Sequence, residues 1–352
     1  MTTTGVGERR PDSHRGAEPT PSEALRLYES MVLIRRVEER LRDESAAGRL
    51  PGAVHLYIGE EAVAAGVCAH LGARDYATST HRGHGHFLAK GGDVRAMMAE
   101  IWAKREGICR GMGGSMHVAD LTKGILGANG IVGAGLSIAA GAAFGAKLDG
   151  DGKASVCFFG DGASNQGALM ETLNVSALWR LPLVFVCENN GFSEFTPASE
   201  VTAGRIADRA RAFAVPAVEV DGNDVTAVWQ AAGEAVDRAR DGGGPSFIEA
   251  RTYRIQGHFE AESFVLGGGR YRDTEEIDTW RGKDPIVRFH ARLQAAGTAS
   301  TADLDRVDAG VLDRVADAVA YAEAGQPADE ELAETLMFAP EPAGSGRPES
   351  EA

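Results

Sequence analysis

Cysteine is scarce and scattered. Cys68, Cys109, Cys157 and Cys187 are the only four in 352 residues and no two form a C-x-x-C pair, which excludes a disulfide framework and a zinc knuckle. Three of them sit in apolar or helix-like surroundings, as small buried hydrophobes of a reducing compartment do. No stretch approaches the roughly 20 apolar residues that cross a bilayer, and residues 1–18 lack the apolar run of a secretory signal. A cytoplasmic protein with no membrane partner is therefore expected. Positive charge is also in deficit: 36 basic against 51 acidic side chains give a net charge of −15. Such a field repels phosphate backbones, so nucleic acid is not an expected partner.

Glycine is what the chain has in excess. It supplies 45 of 352 residues, about 13% against roughly 7% in ordinary proteins, and thirteen of the 45 lie between Gly107 and Gly152. An apolar fraction of 43% is enough for a sizeable core. Residues 1–19 and 339–352, rich in Pro, Gly, Ser, Glu and Arg, bury too little apolar surface to offset the entropy of ordering. They read as flexible arms around a single domain spanning 20–338. Thr20-Pro21-Ser22-Glu23 is a helix start with a capping box, and Leu27, Met31, Ile34 and Leu41 recur at helical spacing until Gly48. Further helices are expected over Gly59–Leu71 and Asp93–Arg105, with His81–His86 as a polar loop between them. Gly107–Gly135 has no periodicity and reads as a long ordered loop, which a compact domain keeps for a functional reason.

From there the chain alternates. Apolar runs at Ala154–Phe159, Leu183–Cys187, Val215–Val220 and Ser246–Thr252 are separated by helical stretches at Gly167–Trp179 and Val225–Ala239, with a small-residue helix over Leu136–Leu148 before the first. Strands apolar on both faces need helices on both sides. The expected fold is α/β, a doubly wound, mostly parallel sheet flanked by helices.

In such sheets ligands bind beyond the carboxyl ends of the strands. Two of these ends carry oxygen-bearing clusters: Gly160-Asp161-Gly162 and Asn189-Asn190. A hard cation such as Mg²⁺ takes a few oxygen ligands from protein and the remainder from a diphosphate. Asp161, the Asn190 amide and a main-chain carbonyl just beyond it could supply that half-shell, with the next helix N-terminus receiving the phosphate.

The GDG tripeptide, 26 intervening residues and the Asn pair match the thiamine-diphosphate signature. Together with HRGHGH at 81–86, GGSMH at 113–117, GANGIVGAG at 127–135, LPLVFVCENN at 181–190 and TYRIQGH at 252–258, the chain resembles, from about Leu25 to Phe289, the α subunit of the thiamine-diphosphate-dependent first component of 2-oxo acid and acetoin dehydrogenase complexes. The resemblance implies an oxidoreductase that cleaves a C–C bond beside the carbonyl of a small substrate and passes the acyl unit to a lipoyl acyltransferase. It implies Mg²⁺ on Asp161, Asn190 and the Phe192 carbonyl, diphosphate contacts from Gly162, Ala163, His81 and Arg82, and aminopyrimidine contacts from Gly130 and Val132. His84 and His258 are implied to face the reacting carbon, His258 contacting the cofactor as well. The glutamate that starts the proton relay belongs, in that family, to a separate β subunit, so an α2β2 heterotetramer is implied, with the chain inactive alone.

The remaining polar residues read more plainly. Glu60 and Glu61 are taken as structural or helix N-terminal carboxylates, and His55, His70 and His290 as surface or packing residues. His117 reads as a structural loop histidine. His81, His84 and His86 have no accompanying Cys or carboxylate at ligand spacing, which favours proton handling over zinc. Gln256 and Phe259 depart from the pyruvate-type wording, the latter removing a phosphorylatable serine, and Glu260–Arg270 is a longer loop than usual. The branch leans towards acetoin. A biosynthetic acyloin- or acyl-transferring enzyme is the alternative; a non-catalytic scaffold or an NAD oxidoreductase built on Gly133-Ala134-Gly135 is more remote, the latter because the third fingerprint glycine is missing.

Overall fold

The computed structural model describes residues 16–336; the expectations for residues 1–15 and for the tail 339–352 fall outside them. Helix α1 (Pro21–Ala46) opens with the anticipated box: the Glu23 N–H donates to Thr20 Oγ1, and the Glu23 carboxylate accepts from the Thr20 N–H at 2.8 Å. Helix α2 (Glu61–Cys68) leads to strand β1 (Tyr76–Thr78), then α3 (His84–Ala89) and α4 (Val94–Ile101), which Asp93 caps through the Ala96 N–H at 2.7 Å. After β2 (Ile125–Gly127) come α5 (Ala134–Asp149), β3 (Ser155–Gly160), α6 (Gly167–Leu178) and β4 (Leu183–Asn189). A small hairpin of β5 (Phe192–Ser193) and β6 (Thr196–Pro197) precedes α7 (Ala198–Val201), α8 (Ile206–Ala212), β7 (Ala217–Asp221), α9 (Val225–Arg240) and β8 (Ser246–Arg251). Five helices close the described chain: α10 (Glu262–Val265), α11 (Thr274–Arg281), α12 (Pro285–Ala295), α13 (Thr301–Ala324) and α14 (Glu330–Leu336).

The main sheet has the order β2-β1-β3-β4-β8-β7 and all of its pairings are parallel. The doubly wound fold read from the sequence is thus borne out. Alternate residues of one strand serve opposite faces. Val156 and Phe158 pack with Val63, Val67, Val228 and Ile248 under α2 and α9, whereas Cys157 and Phe159 pack with Leu136, Ala139, Leu169 and Leu173 under α5 and α6. A third cluster joins α1, α4, α12 and α13 through Met31, Ile34, Met97, Phe289 and Val315. Each large apolar side chain so buried contributes about 1.5–3 kcal/mol. Among the described residues no helix is long and apolar enough to cross a membrane.

Three local expectations are corrected. His81–His86 is not all loop, because His84 begins α3, in which Phe87 and Leu88 are buried. The short strands β1, inside the sheet, and β2, at its edge, escape a reading based on apolar runs; at three residues each they offer no periodicity to count. The chain after Asp161 does not enter a helix directly but makes a 3-10 turn over Gly162–Asn165 before α6 starts at Gly167.

The glycine-rich segment is ordered, and one carboxylate explains how. Glu100, fully buried near the end of α4, accepts four backbone N–H groups: Cys109 and Gly111 at 2.8 Å, Gly113 at 2.7 Å and Gly114 at 3.0 Å. A loop without a hydrophobic face is held by charge-assisted hydrogen bonds instead.

Candidate active site

Because every strand of the main sheet is parallel, β1, β3, β4 and β8 all end on one edge, and the order reverses between β1 and β3. A crevice forms at such a switch point. Here it is a cavity of about 300 Å³ lined by residues following all four strand ends: Ser79 to Arg82, Asp161 to Ala163, Asn190 with Phe192 to Glu194, and Arg254 with His258.

Its floor is acidic. Asp161 is 1% exposed and neither carboxylate oxygen has a hydrogen-bond partner. Burial pushes its pKa up to about 6, against weaker opposing help from nearby N–H groups and Arg254. A buried carboxylate with two free oxygens is costly unless a cation or proton joins it. Asn190, at the tip of the neighbouring strand, accepts the Phe192 N–H on Oδ1 at 3.2 Å and donates from Nδ2 to Glu60 Oε1 at 3.1 Å. The backbone at Gly162 runs against the β5 hairpin, where an added Cβ would stand 2.9 Å from that of Ser193. The first N–H groups of the 3-10 turn, at Gly162 and Ala163, have no partner within the turn and belong to the cavity wall.

The opposite wall is a cluster of imidazoles. His55, His81 and His258 bring a ring nitrogen each to within 4.8 Å of one another. Burial, reinforced by the positive charges of Arg82 and Arg254, pushes them down to about 2, 3 and 2 respectively, so all three are neutral at physiological pH. Their tautomers are constrained too. Arg254 donates to His258 Nδ1 at 2.7 Å; a guanidinium only donates, so the proton of His258 is on Nε2. That nitrogen is a donor, not a metal ligand, while both guanidiniums, Arg254 and Arg82, face Nδ1 at 2.7 and 3.5 Å. Arg82 is tied down by donating to the carbonyls of Leu56 at 2.6 Å and His258 at 2.9 Å. Behind His258, Phe195 packs its ring 5.8 Å from that imidazole and 5.1 Å from Tyr271.

Residues 29–330 match the dehydrogenase E1 component family. The chain belongs to that family. It is 50% identical over 319 residues to the alpha subunit of acetoin:2,6-dichlorophenolindophenol oxidoreductase of Bacillus subtilis, covering 90% of this chain and 94% of that one. The protein of the same description from Cupriavidus necator is 48% identical over 311 residues, 88% of this chain and 92% of its own length. The pyruvate dehydrogenase E1 component alpha subunit of Rhizobium meliloti is 39% identical over 315 residues, 89% of each chain. The resemblance read from the motifs is borne out.

Set against the family expectation, the structure gathers most of the named residues into one cavity: His81, Arg82, Gly130, Val132, Asp161, Gly162, Ala163, Asn190, Phe192 and His258 all line it. His84 does not. Its ring is fully buried, with Nδ1 3.1 Å from Glu38 Oε1 on α1 and Nε2 3.1 Å from the Ser115 carbonyl. Both nitrogens contact other elements, so in this structure the ring is a brace joining α1, α3 and the glycine-rich loop. His86 is another: it bridges Glu188 at 2.9 Å and Ser79 at 2.7 Å, stacked on Phe158. His117 hydrogen-bonds the Gly113 carbonyl at 3.2 Å, as a loop histidine.

Two cavity residues had been passed over. His55, taken as a packing residue, faces His81 at 4.7 Å and His258 at 4.9 Å between ring centroids. Glu60 lines the floor, whereas its neighbour Glu61 turns away to Arg35 at 2.5 Å and is structural as expected. The missed signal was an adjacent pair of acids of which one position of a rigid helix start must point inward.

Proposed function

We propose that this chain is the α subunit of a thiamine-diphosphate- and Mg²⁺-dependent dehydrogenase that cleaves the C–C bond beside a carbonyl, with acetoin-type substrates favoured, and passes the acyl unit to a lipoyl carrier in the cytoplasm. The observation that carries this reading is Asp161: a buried carboxylate with both oxygens unpaired, at a strand tip beside Asn190, in a chain of the dehydrogenase E1 component family. Oxygen donors of this kind fit a hard cation. Asp161, Asn190 and the Phe192 carbonyl hold Mg²⁺. The Gly162 and Ala163 N–H groups, with the positive charge of Arg82 and the His81 ring, face the diphosphate, and Gly130 and Val132 border the aminopyrimidine.

When bound, the cofactor supplies a nucleophilic carbon and an electron sink. The chain's own residues do the remainder. His258, fixed as the Nε2–H tautomer by Arg254, donates to an oxygen of the substrate or intermediate where negative charge develops. His55 and His81, neutral beside it, line the pocket without adding charge. Phe195 and Phe259, 6.4 Å apart beside His258, exclude water. The glutamate that contacts the aminopyrimidine comes from a β subunit. The cavity rim supports this: Ile131 and Val132 are 71% and 49% exposed, and the adjoining face of α5 presents Ile138, Phe144 and Leu148 to solvent. Such an apolar surface suits a partner.

The test is dye reduction by the chain with and without a co-expressed β subunit. Acetoin-dependent reduction of 2,6-dichlorophenolindophenol that requires the partner, thiamine diphosphate and Mg²⁺ is expected; turnover by the lone chain, or none with any carbonyl substrate in the complex, contradicts the reading.

A further inference from the structure

Glu60 has no role among the residues that hold cation and cofactor, yet it touches two of them. It stands at the N-cap position of α2 but makes no side-chain cap hydrogen bond, so its carboxylate is not used by the helix. The side chain is buried, and its two oxygens go to different elements: Oε1 accepts from Asn190 Nδ2 at 3.1 Å, and Oε2 is 3.5 Å from Arg82 Nε. The backbone behind it cannot easily shift, since every residue of α2 is buried. At Gly59, where φ is 106°, an added Cβ would collide with the Tyr253 carbonyl. Glu60 is thus a fixed acceptor placed between the tip of β4 and the loop after β1.

An asparagine is a useful cation ligand only in one of its two amide orientations, because oxygen ligates and the NH₂ group does not. Two neighbours set the choice here. The Phe192 N–H donates to Oδ1, and Glu60 Oε1 accepts from Nδ2. A flipped amide would set oxygen against carboxylate and NH₂ against N–H. We propose that Glu60 is a positioning residue for the cation site, holding the Asn190 amide by its nitrogen so that the oxygen is the end available to Mg²⁺. This rests on the reading of Asp161 and Asn190 as cation ligands.

The experiment is a double-mutant cycle on the complex with its β subunit, titrating Mg²⁺ by calorimetry at saturating thiamine diphosphate. Residues that orient a metal ligand change metal affinity by about 10- to 100-fold; with Phe192 still acting on the amide, Glu60→Ala is expected at the lower end, a loss of about tenfold. Glu60→Gln, whose amide oxygen can still accept from Nδ2, is expected to recover most of that loss. Asn190→Ala is expected to weaken Mg²⁺ at least as much, and adding Glu60→Ala to it to change affinity less than twofold. Glu60→Ser, a good N-cap too short to reach Nδ2, replaces the alanine variant if that one does not assemble, and thermal unfolding of the metal-free complex checks the fold. Unchanged affinity in Glu60→Ala or Glu60→Ser with a loss in Asn190→Ala overturns the proposal. So does a second full loss in the double variant, which would mean that Glu60 acts apart from Asn190. An Asn190→Ala variant that binds Mg²⁺ normally overturns the cation-site reading beneath it.

Discussion

Asp161→Asn should make the metal-free chain more stable while abolishing its use of Mg²⁺. The wild-type carboxyl has a folded pKa of about 6 against an ordinary 3.8, because burial disfavours its charge. Below pH 3.8 it is protonated folded or unfolded, and contributes no difference. Between 3.8 and about 6 the unfolded chain releases the proton and the folded chain keeps it, so stability falls as pH rises; above about 6 the full penalty persists. At about 1.4 kcal/mol per pKa unit, the change from 3.8 to about 6 is worth about 3 kcal/mol. Asparagine has the same shape and no charge, though it leaves a buried amide unpaired, so a gain of about 1–3 kcal/mol at pH 7.5 is expected. Thermal unfolding of both proteins in chelator from pH 4 to 8 reads this directly. The variant should gain at least about 2 °C at pH 7.5 and nothing near pH 4. With Mg²⁺ and thiamine diphosphate in the β-containing complex the order should reverse, since only the wild type then gains ligand stabilisation. A variant less stable than wild type at pH 7.5, or a difference that does not grow between pH 4 and 6, would refute the argument that Asp161 is a desolvated charge awaiting a cation.

Other expectations concern the walls of the cavity. His258→Ala should lower kcat of the complex by about 10²–10⁴-fold while leaving the Mg²⁺ dissociation constant unchanged; an effect confined to cofactor affinity would remove it from proton handling. His55, His81 and His258, held far below the ordinary 6.5, should show no imidazole titration by NMR between pH 5.5 and 8. Because the unfolded chain takes up those protons below about pH 6.5 and the folded one does not, stability should fall as acid is added, and a histidine resonance from this cluster titrating near 6.5 would contradict it. Glu100→Ala leaves four N–H groups without their shared acceptor and should cost about 3 kcal/mol or more in urea unfolding, with new protease cleavage between residues 107 and 117. Unaltered protease resistance would show that the loop is held by something else.

The longer strands of the sheet were legible because burial on both faces leaves a continuous apolar run, as in Val156–Phe159 and Val184–Cys187. The three-residue strands β1 and β2 were not: so short a run carries no pattern, and their place comes from pairing with β3 and with each other. Asp161 and Asn190 could be picked out because ligands bind beyond the carboxyl ends of parallel strands, where both residues lie. Histidines were harder. His84 and His86 lie in the same hexapeptide as His81, but α3 turns both inward to Glu38 and Glu188, and only His81 reaches the cavity. His55 sits in an apolar run with no local mark of function; its role arises from meeting His81 and His258 across the fold. A sequence names residue types, whereas the direction of a side chain at a helix start, as with Glu60 and Glu61, is decided by what packs behind it.

The central claim is tested most directly by soaking Mn²⁺ in place of Mg²⁺, with thiamine diphosphate, into crystals of the complex with the β subunit and locating the ion by its anomalous scattering. The account predicts one Mn²⁺ per chain, bound by an Asp161 carboxylate oxygen, Asn190 Oδ1 and the Phe192 carbonyl. An ion elsewhere, or Asp161 still without a partner when the cofactor is bound, would contradict it.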